Sequence, residues 1–186
     1  MISIQQFAIA VCGVEEMSDR LEAVARLTSG NIVEIGGGEG LNTIRFIKIA
    51  KEQNRKVITI DPFDDIPGAD ESYFKPYPLE KFSLNVGDCT GYLSLLRLPS
   101  QHESVQLTML KHKPVGFVFI DGLQTKEAVL SDLRLAESLD AEIICVDDYD
   151  RLTESSQVPL AVREFTTETN YTFIDIGKRE AYFIKQ

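Results

Sequence analysis

The chain has 186 residues, of which 29 are acidic and 19 are basic, giving a formal net charge of -10. A protein with this balance is repelled by phosphates, which argues against a nucleic acid partner. The length is enough for one sizeable hydrophobic core and too short for two. We therefore expect a single domain over 1–186, with a helical lead-in at 1–30 and the core of the domain at 31–186.

The apolar segments of the chain are all shorter than the roughly 20 residues that span a bilayer. The first of them, at 7–12, has no basic residue before it, which is not typical of a signal peptide. The three cysteines are odd in number and widely spaced, which favours reduced thiols over a disulfide framework. We therefore expect a cytoplasmic protein that does not associate with membranes.

Short apolar strands alternate with helical patterns along most of the chain. Helical spacing over 3–27, with a break near Gly13, predicts two lead-in helices. The next elements are predicted as strands at 31–35, 57–60, 82–86, 115–120 and 141–146, helices at 41–50, 92–98, 103–110 and 125–139, and an irregular loop at 62–78. A helix at 158–165 then precedes strands at 171–176 and 181–184, which predict an antiparallel hairpin.

This order predicts an α/β fold: a Rossmann-like, doubly wound, mostly parallel seven-stranded sheet with a C-terminal antiparallel β-hairpin and helices on both faces. In open sheets of this kind, ligands bind outside the carboxyl ends of the strands. Nearly every predicted parallel strand is followed by a glycine or a carboxylate. These residues are Gly36 to Gly40, Asp61, Gly87 with Asp88, Asp121, and Asp147 with Asp148.

The first strand of the core leads into the pattern E-x-G-x-G-x-G, formed by Glu34, Gly36, Gly38 and Gly40. Glycines at such a turn let the backbone bend sharply and approach a ligand without a Cβ clash. The pattern differs from the dinucleotide fingerprint G-x-G-x-x-G, whose third glycine position is leucine here. Asp61 ends the second strand, where a carboxylate can accept hydrogen bonds from ribose hydroxyls.

The chain from 31 to 186, including the terminal hairpin, resembles the class I S-adenosylmethionine-dependent methyltransferases. Residues 117–122 and 143–149 are more narrowly similar to the macrocin-type, family 24-like O-methyltransferases. The resemblance implies S-adenosyl-L-methionine as the cofactor. The cofactor-binding residues that it implies are Glu34, Gly36, Gly38, Gly40, Asp61, Asp88, Cys89 and Asp121, with Asp88 and Cys89 near the adenine. For Asp88, a helix N-cap is an alternative that is compatible with binding.

In the macrocin-type family, an aspartate and a later acidic pair hold a divalent metal that binds the acceptor hydroxyl. The resemblance therefore implies Asp121, Asp147 and Asp148 as ligands of Mg²⁺, which prefers oxygen, with Asp121 and Asp147 as catalytic residues. The alternative is that Asp147 and Asp148 cap a turn while backbone amides hold Asp121. The chain departs from the family at Gln124, where the family has histidine, and an amide cannot serve as a general base.

Three functions are consistent with these features. The first is methyl transfer from S-adenosylmethionine to the hydroxyl of a small-molecule acceptor. The second, motivated by Gln124, is a non-catalytic cofactor-binding or protein-interaction module. The third is a nicotinamide-dependent oxidoreductase, which the glycine spacing disfavours. A second copy of the chain, forming a homodimer, is a further candidate partner.

Overall fold

The computed structural model describes residues 2–63, 77–89, 91–150 and 157–186. Most of the loop predicted at 62–78 lies outside these ranges. The helices are α1 (Ile4–Val11), α2 (Met17–Leu27), α3 (Leu41–Gln53), α4 (Leu79–Val86), α5 (Glu103–Met109), α6 (Lys126–Ser138) and α7 (Val158–Glu168). The strands are β1 (Asn31–Ile35), β2 (Val57–Ile60), β3 (Leu93–Leu96), β4 (Val115–Ile120), β5 (Ile143–Val146), β6 (Tyr171–Asp175) and β7 (Ala181–Lys185).

The seven strands form one sheet in the order β3-β2-β1-β4-β5-β7-β6. Strands β1 to β5 are parallel, and β7 pairs antiparallel with both β5 and β6. This confirms the predicted doubly wound fold with its terminal hairpin. Alternate residues of the central strands enter two apolar layers, because successive side chains of a strand point to opposite faces.

Two predicted elements are wrong. The segment predicted as a strand at 82–86 belongs to helix α4, whose Phe82 and Val86, four residues apart, are buried while Leu84 is 75% exposed. The segment predicted as a helix at 92–98 contains strand β3, a four-residue edge strand paired with β2. The apolar residues at 82–86 fit the period of a strand as well as that of a helix. The segment forms a helix because Phe82 and Val86 lie on one helical face that is buried.

The lead-in helices pack against the C-terminal hairpin. The ring of Phe7 meets that of Tyr182 edge-on, with centroids 4.9 Å apart. Arg20 of α2 forms a buried ion pair with Glu180, which directly precedes β7. The two ends of the described chain thus share one face of the sheet. Among the described residues, no helix is both long and apolar enough to cross a bilayer.

Candidate active site

The carboxyl ends of four parallel strands place the predicted site residues side by side along one edge of the sheet. The amide of Gly36 donates to the carbonyl of Ile60, and the amide of Asp121 donates to the carbonyl of Ile35, at 2.9 and 2.8 Å. The amide of Asp147 donates to Ile120 at 3.0 Å in the same way. Backbone pairing therefore fixes the order of the glycine loop, Asp121 and Asp147 along this edge.

Two glycines of the loop meet different constraints. Gly36 has φ +91°, and a Cβ there would overlap the carbonyl oxygen of Asp121. Gly38 has φ +51°, and the nearest atoms to a Cβ there belong to the ring of Tyr77, at 3.7 Å. Gly36 therefore allows β1 and β4 to approach each other, whereas Gly38 leaves its side of the loop open towards a ligand.

Asp61 holds the glycine loop directly. Its Oδ2 accepts hydrogen bonds from the amides of Gly37 and Gly38 at 2.8 and 3.0 Å, and its Oδ1 accepts one from the amide of Phe63 at 2.6 Å. A carboxylate has about four acceptor positions, and the described residues fill three of those of Asp61 and leave one on Oδ1. Asp61 thus fixes the glycine loop, a role that the sequence analysis did not predict. The remaining acceptor position could take the hydrogen bond from a ribose hydroxyl that the sequence analysis did predict.

Glu34 supports the glycine loop from inside the core. Its side chain accepts hydrogen bonds from the hydroxyls of Thr43 and Thr59, and the residue is only 1% exposed. Burial raises the pKa of Glu34 to about 8, although both hydroxyls lower it. Glu34 therefore holds the loop from within the core, and its direct contact with the cofactor stays a prediction.

The prediction that Asp88 and Cys89 follow the third strand, near the adenine, is wrong in its placement of these residues. These residues follow α4 and precede β3, and the carbonyl of Cys89 accepts from the amides of Tyr92 and Leu93. They therefore lie at the amino end of β3, on the sheet edge opposite Asp61. The next element after Asp88 is a strand, so the helix-cap alternative fails as well.

The loop that does follow β3, residues 97–101, was missed because that strand was misassigned. Its Gln101 donates to Oδ1 of Asp132 at 3.1 Å. Asp132 is 1% exposed, and burial raises its pKa to about 7. The Oδ2 of Asp132 has no hydrogen-bond partner among the described residues and lies 3.7 Å from a Cβ built on Gly122. This polar cluster adjoins the end of β4.

The predicted acidic trio comes together in the structure. One carboxylate oxygen from each of Asp121, Asp147 and Asp148 lies within 4.8 Å of the others. Asp147 and Asp148 are buried, at 2% and 4% exposure, whereas Asp121 is partly exposed. Because all three follow the neighbouring strands β4 and β5, the sheet itself makes the cluster.

Arg179, in the turn between β6 and β7, binds this trio. Its Nε and Nη2 donate to Oδ1 and Oδ2 of Asp147, both at 2.7 Å, and Nε lies 2.9 Å from Oδ1 of Asp148. Burial raises the pKa of Asp147, an effect that the hydrogen bonds from Arg179 oppose. The sequence analysis missed Arg179, because only the pairing of β7 with β5 brings this turn to the acidic strand end.

Gln124 also engages the trio, through a hydrogen bond from its Nε2 to Oδ2 of Asp148. Asp148 has φ +54°, and its amide donates to Oδ1 of Asp147 at 2.7 Å. Asp147 therefore caps the turn after β5 through this bond, as the alternative interpretation of the acidic pair predicted. The amide of Tyr149 then donates to the carbonyl of Arg179 at 2.8 Å, which ties the end of β5 to the hairpin.

A cleft of about 470 Å³ opens beside Arg179. It is lined by Tyr149, Asp150, Asp175, Gly177, Lys178 and Arg179. The lining combines an aromatic ring with charges of both signs, which suits a polar small molecule. Through Arg179, the cleft is continuous with the acidic trio.

Comparisons with known proteins agree with this geometry. The chain matches the family described as a methyltransferase domain over residues 33–149. A search of curated protein sequences gives no significant match. Because the match covers more than half of the chain, the chain belongs to the methyltransferase domain family.

Three solved structures share the fold. The apo structure of a TDP-rhamnose 3'-O-methyltransferase from calicheamicin biosynthesis is 18% identical, with a TM-score of 0.61 over 90% of this chain and 76% of that chain. A Staphylococcus aureus protein assigned as a caffeoyl-CoA O-methyltransferase is 15% identical, with a TM-score of 0.68 over 98% and 90%. The mycinamycin-pathway methyltransferase MycE, solved with Mg and SAH, is 11% identical, with a TM-score of 0.54 over 84% and 45%.

Proposed function

We propose that this domain transfers the methyl group of S-adenosylmethionine to the hydroxyl of a small-molecule acceptor. One observation carries the proposal: the glycine loop with Asp61 and the trio of Asp121, Asp147 and Asp148 lie along the same sheet edge, joined by backbone hydrogen bonds. A cofactor at the loop would therefore point its reactive end towards the carboxylates and the adjoining cleft. The structural relatives that are named as O-methyltransferases support the same chemistry.

The cofactor would bind along the sheet edge in a definite order. Its amino acid end would lie at Gly36 to Gly40, and its ribose would donate to the remaining acceptor position of Asp61. The resemblance places the adenine after the third strand, which is now β3, so the loop 97–101 replaces Asp88 and Cys89 in this role. The net charge of -10 favours a small acceptor over a nucleic acid.

The reaction needs little covalent help from the protein. The acceptor oxygen attacks the methyl carbon, the carbon–sulfur bond breaks with its electron pair going to sulfur, and the hydroxyl proton leaves. Asp121 is the accessible carboxylate of the trio and would accept that proton, because Arg179 engages both oxygens of Asp147. Aligning oxygen, carbon and sulfur would supply most of the rate enhancement.

The resemblance also implies a divalent metal, and the trio supplies the hard oxygens that Mg²⁺ prefers. However, Arg179 donates to both oxygens of Asp147, and Gln124 donates to Oδ2 of Asp148. The fourth oxygen, Oδ1 of Asp148, accepts no hydrogen bond from the described residues but lies 2.9 Å from Nε of Arg179 as an ion pair. The residues in this arrangement do not fit a divalent ion, and no step of the proposed reaction uses one.

A non-catalytic module is the second candidate, and the bond between Gln124 and Asp148 favours it. Where the family has a basic histidine, this chain has an amide that is committed to a carboxylate. Such a protein would bind S-adenosylmethionine and transfer nothing. Both candidates predict that the protein binds S-adenosylmethionine, but only the methyltransferase predicts a methylated product.

Calorimetric titration with S-adenosylmethionine and with S-adenosylhomocysteine tests the cofactor site. We expect the folded protein to bind at or below about 100 μM. Gly38→Ala should bind at least tenfold more weakly, because its Cβ would enter the open side of the loop. Gly13→Ala is the matched control, since Gly13 also has a positive φ and open surroundings but lies between α1 and α2.

Turnover is then measured with a panel of hydroxylated acceptors, by mass spectrometry of the methylated product. Product formation supports the enzyme, whereas tight binding without product across the panel supports the non-catalytic module. Absence of binding by a folded wild-type protein would contradict both candidates.

A further inference from the structure

We infer that Arg179 is a built-in cation that takes the place of the divalent metal implied by the family resemblance. Its role in methyl transfer rests on the proposed function, but its exclusion of a metal does not. Arg179 is a positioning residue in this proposal: it fixes Asp147 and offsets the negative charge of the trio.

Carboxylate oxygens surround the guanidinium of Arg179 in the way that they would surround a bound metal ion. Its guanidinium makes a two-point contact with Asp147, at 2.7 Å on both oxygens, and reaches Asp148 at 2.9 Å. A planar guanidinium matches a carboxylate in this way and keeps its charge across the physiological pH range. The two most buried carboxylates of the trio therefore already have a permanent counter-charge.

A divalent ion would have to displace this side chain. Mg²⁺ requires a near-octahedral oxygen shell at short distances, and it would be repelled by a guanidinium bound to the same carboxylates. The main chain of Arg179 is held beside the trio, because its carbonyl accepts from the amide of Tyr149 and the hairpin register continues at Asp175 opposite Ala181. Gln124 blocks the remaining oxygen of Asp148.

The same arrangement gives the hairpin turn a function. Arg179 lines the cleft of about 470 Å³ and touches the trio, so one side chain joins the acceptor side to the carboxylates. In the proposed reaction, a fixed positive charge beside the acceptor would favour the oxygen as it loses its proton. Unlike a metal, this cation cannot be removed by a chelator.

The experiment is a titration with Mn²⁺, followed by electron paramagnetic resonance and by thermal unfolding, without cofactor or acceptor. Wild-type protein should not bind Mn²⁺ at millimolar concentration, and its melting temperature should not change. Arg179→Ala should gain a Mn²⁺ site at least tenfold tighter than any wild-type binding. Addition of Mn²⁺ should raise the melting temperature of this variant by roughly 5 °C. Lys178→Ala is the matched control, because Lys178 is the exposed neighbour paired with Glu15, and it should behave like wild type.

Wild-type binding of Mn²⁺ that Asp148→Asn abolishes would overturn the proposal. So would a folded Arg179→Ala protein that gains no Mn²⁺ site. If Arg179→Ala fails to fold, Arg179→Gln decides: a glutamine keeps a hydrogen-bond donor for Asp147 but removes the positive charge, so Mn²⁺ binding should emerge, and none would contradict us. Methyl transfer is measured separately, so a failure of the proposed function cannot be mistaken for a failure of this inference.

Discussion

Gly36 and Gly38 belong to the same loop, but the structure constrains them for different reasons. Gly36 is needed by the fold, because a Cβ there would overlap the backbone of Asp121 and Gly122, which follow the neighbouring strand β4. Among the residues that the structure describes, only the ring of Tyr77 comes within 4 Å of a Cβ at Gly38. The E-x-G-x-G-x-G pattern could not separate these roles, since both positions are simply glycine in the sequence.

We expect Gly36→Ala to destabilise the domain by several kcal/mol, or to prevent folding, because its Cβ clashes with immobile backbone and its φ is unfavourable. Gly38→Ala should lower the free energy of unfolding by only about 1 kcal/mol, from its positive φ alone. Urea denaturation of both variants measures the difference. Equal losses in the two variants would show that the close approach at Gly36 does not constrain the fold.

At the scale of elements, the sequence predicted the strand ends well and the strands near the sheet edge poorly. The strands at 31–35, 57–60 and 115–120 are confirmed, because long apolar runs between turn residues fit only buried strands here. Helix α4 and strand β3 were exchanged in type, because Phe82 to Val86 alternates and Leu93 to Leu96 is short and half-buried. That error moved the predicted adenine contact to the wrong edge of the sheet.

The candidate site was predictable as far as it depends on strand ends. Asp61, Asp121, Asp147 and Asp148 lie along the expected edge, because parallel strands present their carboxyl ends together. Arg179 was not predictable in this way, since it comes from a distant antiparallel turn. Only the pairing of β7 with β5 brings that turn to the acidic pair. Long-range pairing carries no local sequence signal.

Helix α2 is joined to the C-terminal hairpin by one buried ion pair, and this pair yields a prediction. Arg20 and Glu180 are 3% and 0% exposed, and Arg20 also donates to the carbonyls of Val14 and Glu15. Arg20→Leu should cost about 3–5 kcal/mol of unfolding free energy, because it strands Glu180 without a counter-charge. Adding Glu180→Leu to that variant should recover part of the loss.

The control for this prediction is Arg45→Ala. Arg45 pairs with Asp19 and Glu22 at the surface, where such pairs contribute at most about 1 kcal/mol. Denaturant unfolding of the four proteins gives the comparison. If Arg20→Leu proved as mild as Arg45→Ala, the buried pair would not hold the lead-in to the hairpin.

At the scale of the whole molecule, the acidic composition and two buried carboxyl groups act in the same direction. Burial raises the pKa of Glu34 to about 8 and that of Asp132 to about 7, above the ordinary values of 4.5 and 3.8. Both groups thus hold a proton in the folded state at a pH where the unfolded chain has lost it. Stability must therefore fall as pH rises from about 4 towards 8. The net charge of -10 adds self-repulsion over the same range.

We expect the free energy of unfolding to be larger near pH 5 than near pH 8, by an amount on the order of 4 kcal/mol for each buried carboxyl group at most. Asp132→Asn keeps a side-chain oxygen for Gln101 and removes the ionisation, so it should flatten the profile and stabilise the protein selectively near pH 8. Urea unfolding across this range, with Asp140→Asn at an exposed position as the control, measures the slope. An unchanged slope in Asp132→Asn would mean that Asp132 is already ionised in the folded protein and that its burial does not set the pH dependence.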